Sequence, residues 1–148
     1  IGDLAGPMAF AILMGSSRAF YGKFGDKINL ERFMQYSAVL CIVSYLMIAF
    51  IPVPALGILG CAVCGLSVGI MWPGTFSMAA ASVKRGGTAL FALLALAGDV
   101  GCSSGPTYVG MISGALNDNL KLGIFAALIF PVLMIMGIKM IGSLQKYD

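Results

Sequence analysis

Five apolar runs separated by short polar breaks set the pattern of this chain. The first is Leu4 to Phe20, interrupted only by Pro7 and Gly15, and the second runs from Phe33 to Ile51. The third is Ala55 to Val83, the fourth Thr88 to Leu116, and the fifth Leu120 to about Ile141. A helix of about 20 residues crosses a hydrocarbon core. The pattern therefore predicts an all-α membrane protein with five transmembrane helices, at about 4–20, 33–51, 55–83, 88–116 and 120–141. Between the first two runs lies the one long hydrophilic passage, Arg18 to Arg32. The other breaks are Pro52-Val53-Pro54, Lys84-Arg85-Gly86-Gly87 and Asn117-Asp118-Asn119.

Composition agrees with this reading. Only 10% of the residues are charged and 59% are hydrophobic, against about 25% charged in soluble domains. Charge also orients the chain, because Lys and Arg are retained on the cytoplasmic side. With the first loop inside, Arg18, Lys23, Lys27, Arg32, Lys84, Arg85, Lys139 and Lys146 all fall inside, and only Lys121 outside. The expected location is an integral membrane protein of the plasma (inner) membrane with a cytoplasmic C-terminus. These basic residues flank apolar runs and carry no interleaved exposed aromatics, so no nucleic-acid partner is expected. Ile1 opens the chain without an initiator Met or the charged start of a signal peptide, which reads as a cut inside a longer protein.

The runs differ in kind. The second has no Gly, and the fifth is similar apart from Gly123, Pro131 and Gly137. In the third, Gly57, Cys61, Gly65, Gly69 and Pro73 recur every four residues. In the fourth, Gly101 and Gly105, then Gly110 and Gly114, share that spacing. Helices in lipid associate through small residues that let backbones approach. The third and fourth helices are thus expected at the centre of the bundle, with the first, which carries Gly15, Ser16 and Ser17. The second and fifth are expected toward lipid.

Few residues offer chemistry. Asp99 is about midway along the fourth helix, where an ionisable group costs on the order of 3 kcal/mol on insertion scales and is functional by default. Ser103 follows one turn later, and Pro106 and Gly110 continue the face. Pro106 frees a carbonyl near Cys102. Two readings of Asp99 stay open: a buried coupling carboxylate that takes up and releases a proton, or a structural Asp bonded to a neighbouring helix. In the third helix Pro73 predicts a kink. Trp72 offers an indole donor and a stacking face to a polar ligand, or else packs beside the kink. Thr75 and Ser77 either serve that site or satisfy backbone groups freed by Pro73. Cys61-x-x-Cys64 has no second Cys pair and no His, and reads as small residues at a helix contact. No cofactor or metal is expected.

The basic loop and the fourth helix resemble the major facilitator superfamily of secondary transporters. Gly22, Asp26, Lys27 and Arg32 match its hallmark loop, roughly Gly-x-x-x-Asp-Arg-x-Gly-x-basic-basic, with Asn29 where Gly is usual and Glu31 where a basic residue is usual. This weakened form is more typical of the C-terminal half, so the chain looks like helices eight to twelve, most of one six-helix half. Helices two to six are the alternative. Gly101, Gly105, Pro106 and Gly110 are similar to the Gly-Pro motif of the family's antiporters. The Trp72-Pro73-Gly74-Thr75 run and the Gly98-Asp99-x-Gly101 segment faintly resemble fucose-permease-like sugar carriers.

The resemblance implies two halves rocking about a midplane site, and hence a partner in the missing N-terminal half of the same transporter. It implies that Asp26 pairs at a helix end of that half and holds the cytoplasmic side shut. The function it implies is secondary active transport of a small polar solute, a sugar or organic anion, coupled to a proton or sodium. Asp99, Ser103, Trp72, Thr75 and Ser17 are then the expected pathway residues. The rival is a non-transporting membrane sensor or assembly subunit of the same fold, against which Asp99 argues. An enzyme is not expected, because there are no paired carboxylates and no His.

Overall fold

The computed structural model describes residues 2–83 and 86–144, without the side chains of residues 2, 3, 26 and 144. Among the described residues the chain is helical apart from short connections. The helices are α1 (Gly2–Phe24), α2 (Leu30–Phe50), α3 (Pro54–Val68), α4 (Met71–Ser82), α5 (Gly87–Ala115), α6 (Leu120–Ala126) and α7 (Ile129–Leu144), with a 3-10 turn at Gly25–Lys27. Four stretches are long and apolar enough to cross a membrane: Leu30–Phe50, Pro54–Ser82, Gly87–Ala115 and Leu120–Ser143. The pattern predicts five. The one that drops out is α1, a helix of 23 residues whose apolarity is diluted by Arg18, Lys23 and its Gly and Ser residues.

Helix α1 also runs through much of the expected loop. No Pro interrupts it there, and Lys23 in its last turn complements the negative end of the helix dipole. Gly22 is therefore helical. The polar passage shrinks to the turn and the two residues before α2. Tyr21 stacks on Phe33 with ring centroids 6.2 Å apart and ties the end of α1 to the start of α2. Between α5 and α6, Asn117 (φ 57°) and Asp118 (φ 56°) adopt the left-handed conformation that Asn and Asp tolerate best after Gly. Asn119 then caps α6.

Two apolar spans are interrupted, each one turn before a proline. Proline has no N–H, so the carbonyl four residues earlier loses its helical partner. The Pro54–Ser82 span breaks at Gly69 and Ile70, ahead of Pro73, and the Leu120–Ser143 span at Ala127 and Leu128, ahead of Pro131. Helix α5 continues unbroken through Pro106.

Packing follows the small residues. The Gly/Cys stripe of the Pro54–Ser82 span lies against α1. Cys61 meets Gly6, Gly65 meets the Phe10 backbone, and Gly69 meets Met14 and Ser17. A Cβ at Gly69 would stand 2.8 Å from the Met14 carbonyl oxygen. The expected order of the helices is corrected at two places. Helix α2 is not peripheral: it packs on α3, α4, α6 and α7 and buries Met34, Ser37, Ala38, Cys41, Ser44 and Ala49. These include small residues at helical spacing, which do for α2 what Gly does for α3. Helix α5 is not central. It rests on α6 and touches α4, and no residue in its most apolar stretch is buried.

Candidate functional site

The break at Gly69 lies near the middle of the Pro54–Ser82 span, about 20 Å from its end at Ser82 at the helical rise per residue. Several of the polar groups in the chain gather at this level. Pro73 leaves the Gly69 carbonyl without its helical donor, and the Arg18 Nε–H donates to it at 3.1 Å. Side chains on a helix lean toward its N-terminus, so Arg18 reaches back along α1, away from the polar turn that follows. Ser17, beside it, is buried with its Cβ against Gly69.

Trp72 follows Gly69 within one turn. Its indole ring covers Gly98 of α5 so closely that a Cβ there would overlap it. The ring also meets Phe76 (centroids 4.7 Å apart), and Phe76 stacks on Phe91 at 5.8 Å. This aromatic ladder sets the height of α5 against α4. It brings Asp99, next to Gly98, to the level of the break.

Asp99 is not buried as expected; it is exposed. Asp99, Ser103, Ser104 and Thr107 line an open groove of about 460 Å³ on the outer face of α5. The hydroxyls bond within the helix: Ser103 donates to the Asp99 carbonyl at 3.0 Å, and Thr107 to the Ser103 carbonyl at 2.7 Å. Among the described residues none forms an ion pair with Asp99 or Arg18 or donates a hydrogen bond to the Asp99 carboxylate. The α5 glycines share this openness. A Cβ at Gly101, Gly105, Gly110 or Gly114 would meet nothing within 4 Å, so the expected packing motif has no partner in the described structure.

The Thr75 hydroxyl donates to the Met71 carbonyl at 2.7 Å, and the Ser77 hydroxyl to the Pro73 carbonyl at 3.0 Å. Neither meets the carbonyl that Pro73 frees, which Arg18 serves instead. Ser17 is placed differently again. With Ser16, Phe20, Tyr36, Ser37 and Leu66 it lines a cleft of about 500 Å³ between α1 and α2, on α3.

The loop residues form a second polar cluster. Asn29, which departs from the loop pattern, is the N-cap of α2 and accepts from the Arg32 N–H at 3.1 Å. Glu31, the other departure, accepts from Gln35 Nε2 at 3.2 Å and lies against Gly142 of α7. With Arg32, Lys139 and Ser143 they line a pocket of about 440 Å³. Lys27 is exposed. The Asp26 side chain, Lys84, Arg85 and Lys146 lie outside the described residues. Cys41 and Cys64 are buried, Cys61 is half-buried and Cys102 is exposed; all four are free thiols.

Sequence reasoning missed the Arg18–Gly69 contact, because the position of Arg18 beside the basic loop made it look like part of a topology signal. The usable signal is Pro73, whose freed carbonyl needs a donor from another helix. No family model, curated protein or solved structure matches this chain.

Proposed function

We propose that the chain is part of a secondary active transporter of the major facilitator superfamily, moving a small polar solute by alternating access. The observation that carries this is the polar face Asp99–Ser103–Thr107, open along an apolar helix at the level of a helix break. A carboxylate there is sustained only by water or by a protein partner. An aqueous pathway between this chain and a second bundle supplies both, and the open glycines of α5 suit a neighbouring helix. On this reading Asp99 is the coupling group for a proton or sodium, and Trp72 packs at the wall of the pathway. The chain sits in the plasma (inner) membrane with its C-terminus cytoplasmic, as the distribution of Lys and Arg supports. It performs transport rather than a chemical conversion.

The test is solute-driven proton movement in proteoliposomes holding the full-length protein, across a panel of sugars and small acids. At least one solute is expected to move protons or to exchange against itself. No movement or exchange with any solute would favour the sensor reading instead.

A further inference from the structure

Arg18 sits at the level of the helix break, six residues before the end of α1 at Phe24, and only its Nε is engaged, on the Gly69 carbonyl. A guanidinium has five N–H donors and stays charged. Among the described residues no carboxylate pairs with Arg18, and its side chain is exposed. A cation set among apolar helices needs an anion or water, because an unpaired charge in a low-dielectric setting is costly. The Nε bond to Gly69 fixes the plane of the guanidinium and leaves the two Nη groups to act as a fork, the geometry that receives a carboxylate or phosphate with two parallel bonds.

We infer that Arg18 is the anion-binding residue of the transport pathway, so that the solute carries a carboxylate or phosphate. This rests on the transporter reading and narrows it, excluding neutral sugars as the main solute. Pro73 belongs to the same device, because its missing N–H leaves the carbonyl that orients Arg18.

The competing role is structural: Arg18 merely satisfies Gly69. Pro73→Ala separates the two, since alanine returns an N–H to the Gly69 carbonyl and relieves Arg18 of that duty. The experiment measures uptake of labelled lactate, succinate and inorganic phosphate, with a neutral hexose as control, by the full-length protein in proteoliposomes. Wild type, Arg18→Gln, Arg18→Lys and the double variant Pro73→Ala/Arg18→Gln are compared, with monodispersity in detergent checked for each. At least one anion is expected to be taken up by wild type. In the double variant its KM should rise by about tenfold or more, the loss of a charge-assisted bond, while Arg18→Lys should retain more of the affinity. A double variant with wild-type KM would overturn the inference and leave Arg18 structural. Uptake of the hexose but of no anion would also overturn it, while leaving the transporter reading intact. No uptake of anything by wild type would remove both.

Discussion

Replacing Gly65 with leucine is expected to separate α1 from α3 and leave little folded protein. A Cβ at this position would overlap the Phe10 backbone carbonyl, and backbone cannot step aside as the end of a flexible side chain can. Overpacking a well-packed contact costs about 1–3 kcal/mol, occasionally more. Here even Gly65→Ala should lie at the top of that range, against a total stability of about 5–15 kcal/mol typical of folded domains. Gly57→Ala is the control, because its Cβ would meet nothing within 4 Å and should change stability by less than about 0.5 kcal/mol. Thermal unfolding in detergent measures both. Equal melting temperatures for Gly65→Leu and Gly57→Ala would mean that α1 and α3 do not pack through this stripe.

The second large effect concerns Asp99. Under the proposed function, Asp99→Asn removes the group that binds the coupling ion while keeping the side chain's size. One charge moved down 100 mV is worth about 2.3 kcal/mol, roughly a fifty-fold solute accumulation. The variant should lose that accumulation and its solute-driven proton movement, yet still exchange solute across the membrane. Asp99 is exposed and its groove neighbours Ser103 and Thr107 bond within the helix, so the substitution breaks no described contact and folding should be kept. Unchanged accumulation in proteoliposomes would demote Asp99 to a surface residue of α5.

The helical class and four of the five expected apolar spans were legible in the sequence, because length and hydropathy decide them. So was the close face of α3, since Gly65 and Gly69 at a four-residue spacing have one physical use in a helix pair. The place of α2 was not legible by counting glycines. Its contact face is built from Ser37, Ala38, Cys41 and Ser44, small residues that read as ordinary content of an apolar run. The bare face of α5 was misjudged for the opposite reason. Gly101 and Gly105 announce close packing, but a sequence does not say whether the partner lies in the same bundle.

At the site, Asp99 and Ser103 fall on one face as their spacing requires. The level at which they meet the helix break depends on Trp72 covering Gly98, a contact between residues far apart in the chain. Arg18 was hidden in the same way, since its partner Gly69 is 51 residues away. Asn29 and Glu31 looked like flaws in a loop motif and turn out to be a helix cap and an interhelical contact.

The central claim is that the Asp99 face of α5 lines water. Cys102 is exposed and lies one turn from Asp99, at the edge of that face beside the groove, so its thiol reports on the claim without knowledge of the solute. The measurement is labelling by a membrane-impermeant maleimide in sealed vesicles, in full-length protein whose other cysteines are replaced by alanine. The cysteine thiolate, which forms only where water reaches, adds to the maleimide double bond. Labelling of Cys102 from at least one side of the membrane is the predicted result. A Cys102 that stays unlabelled from both sides, while labelling readily after denaturation, would place this face against lipid or packed protein and contradict the account.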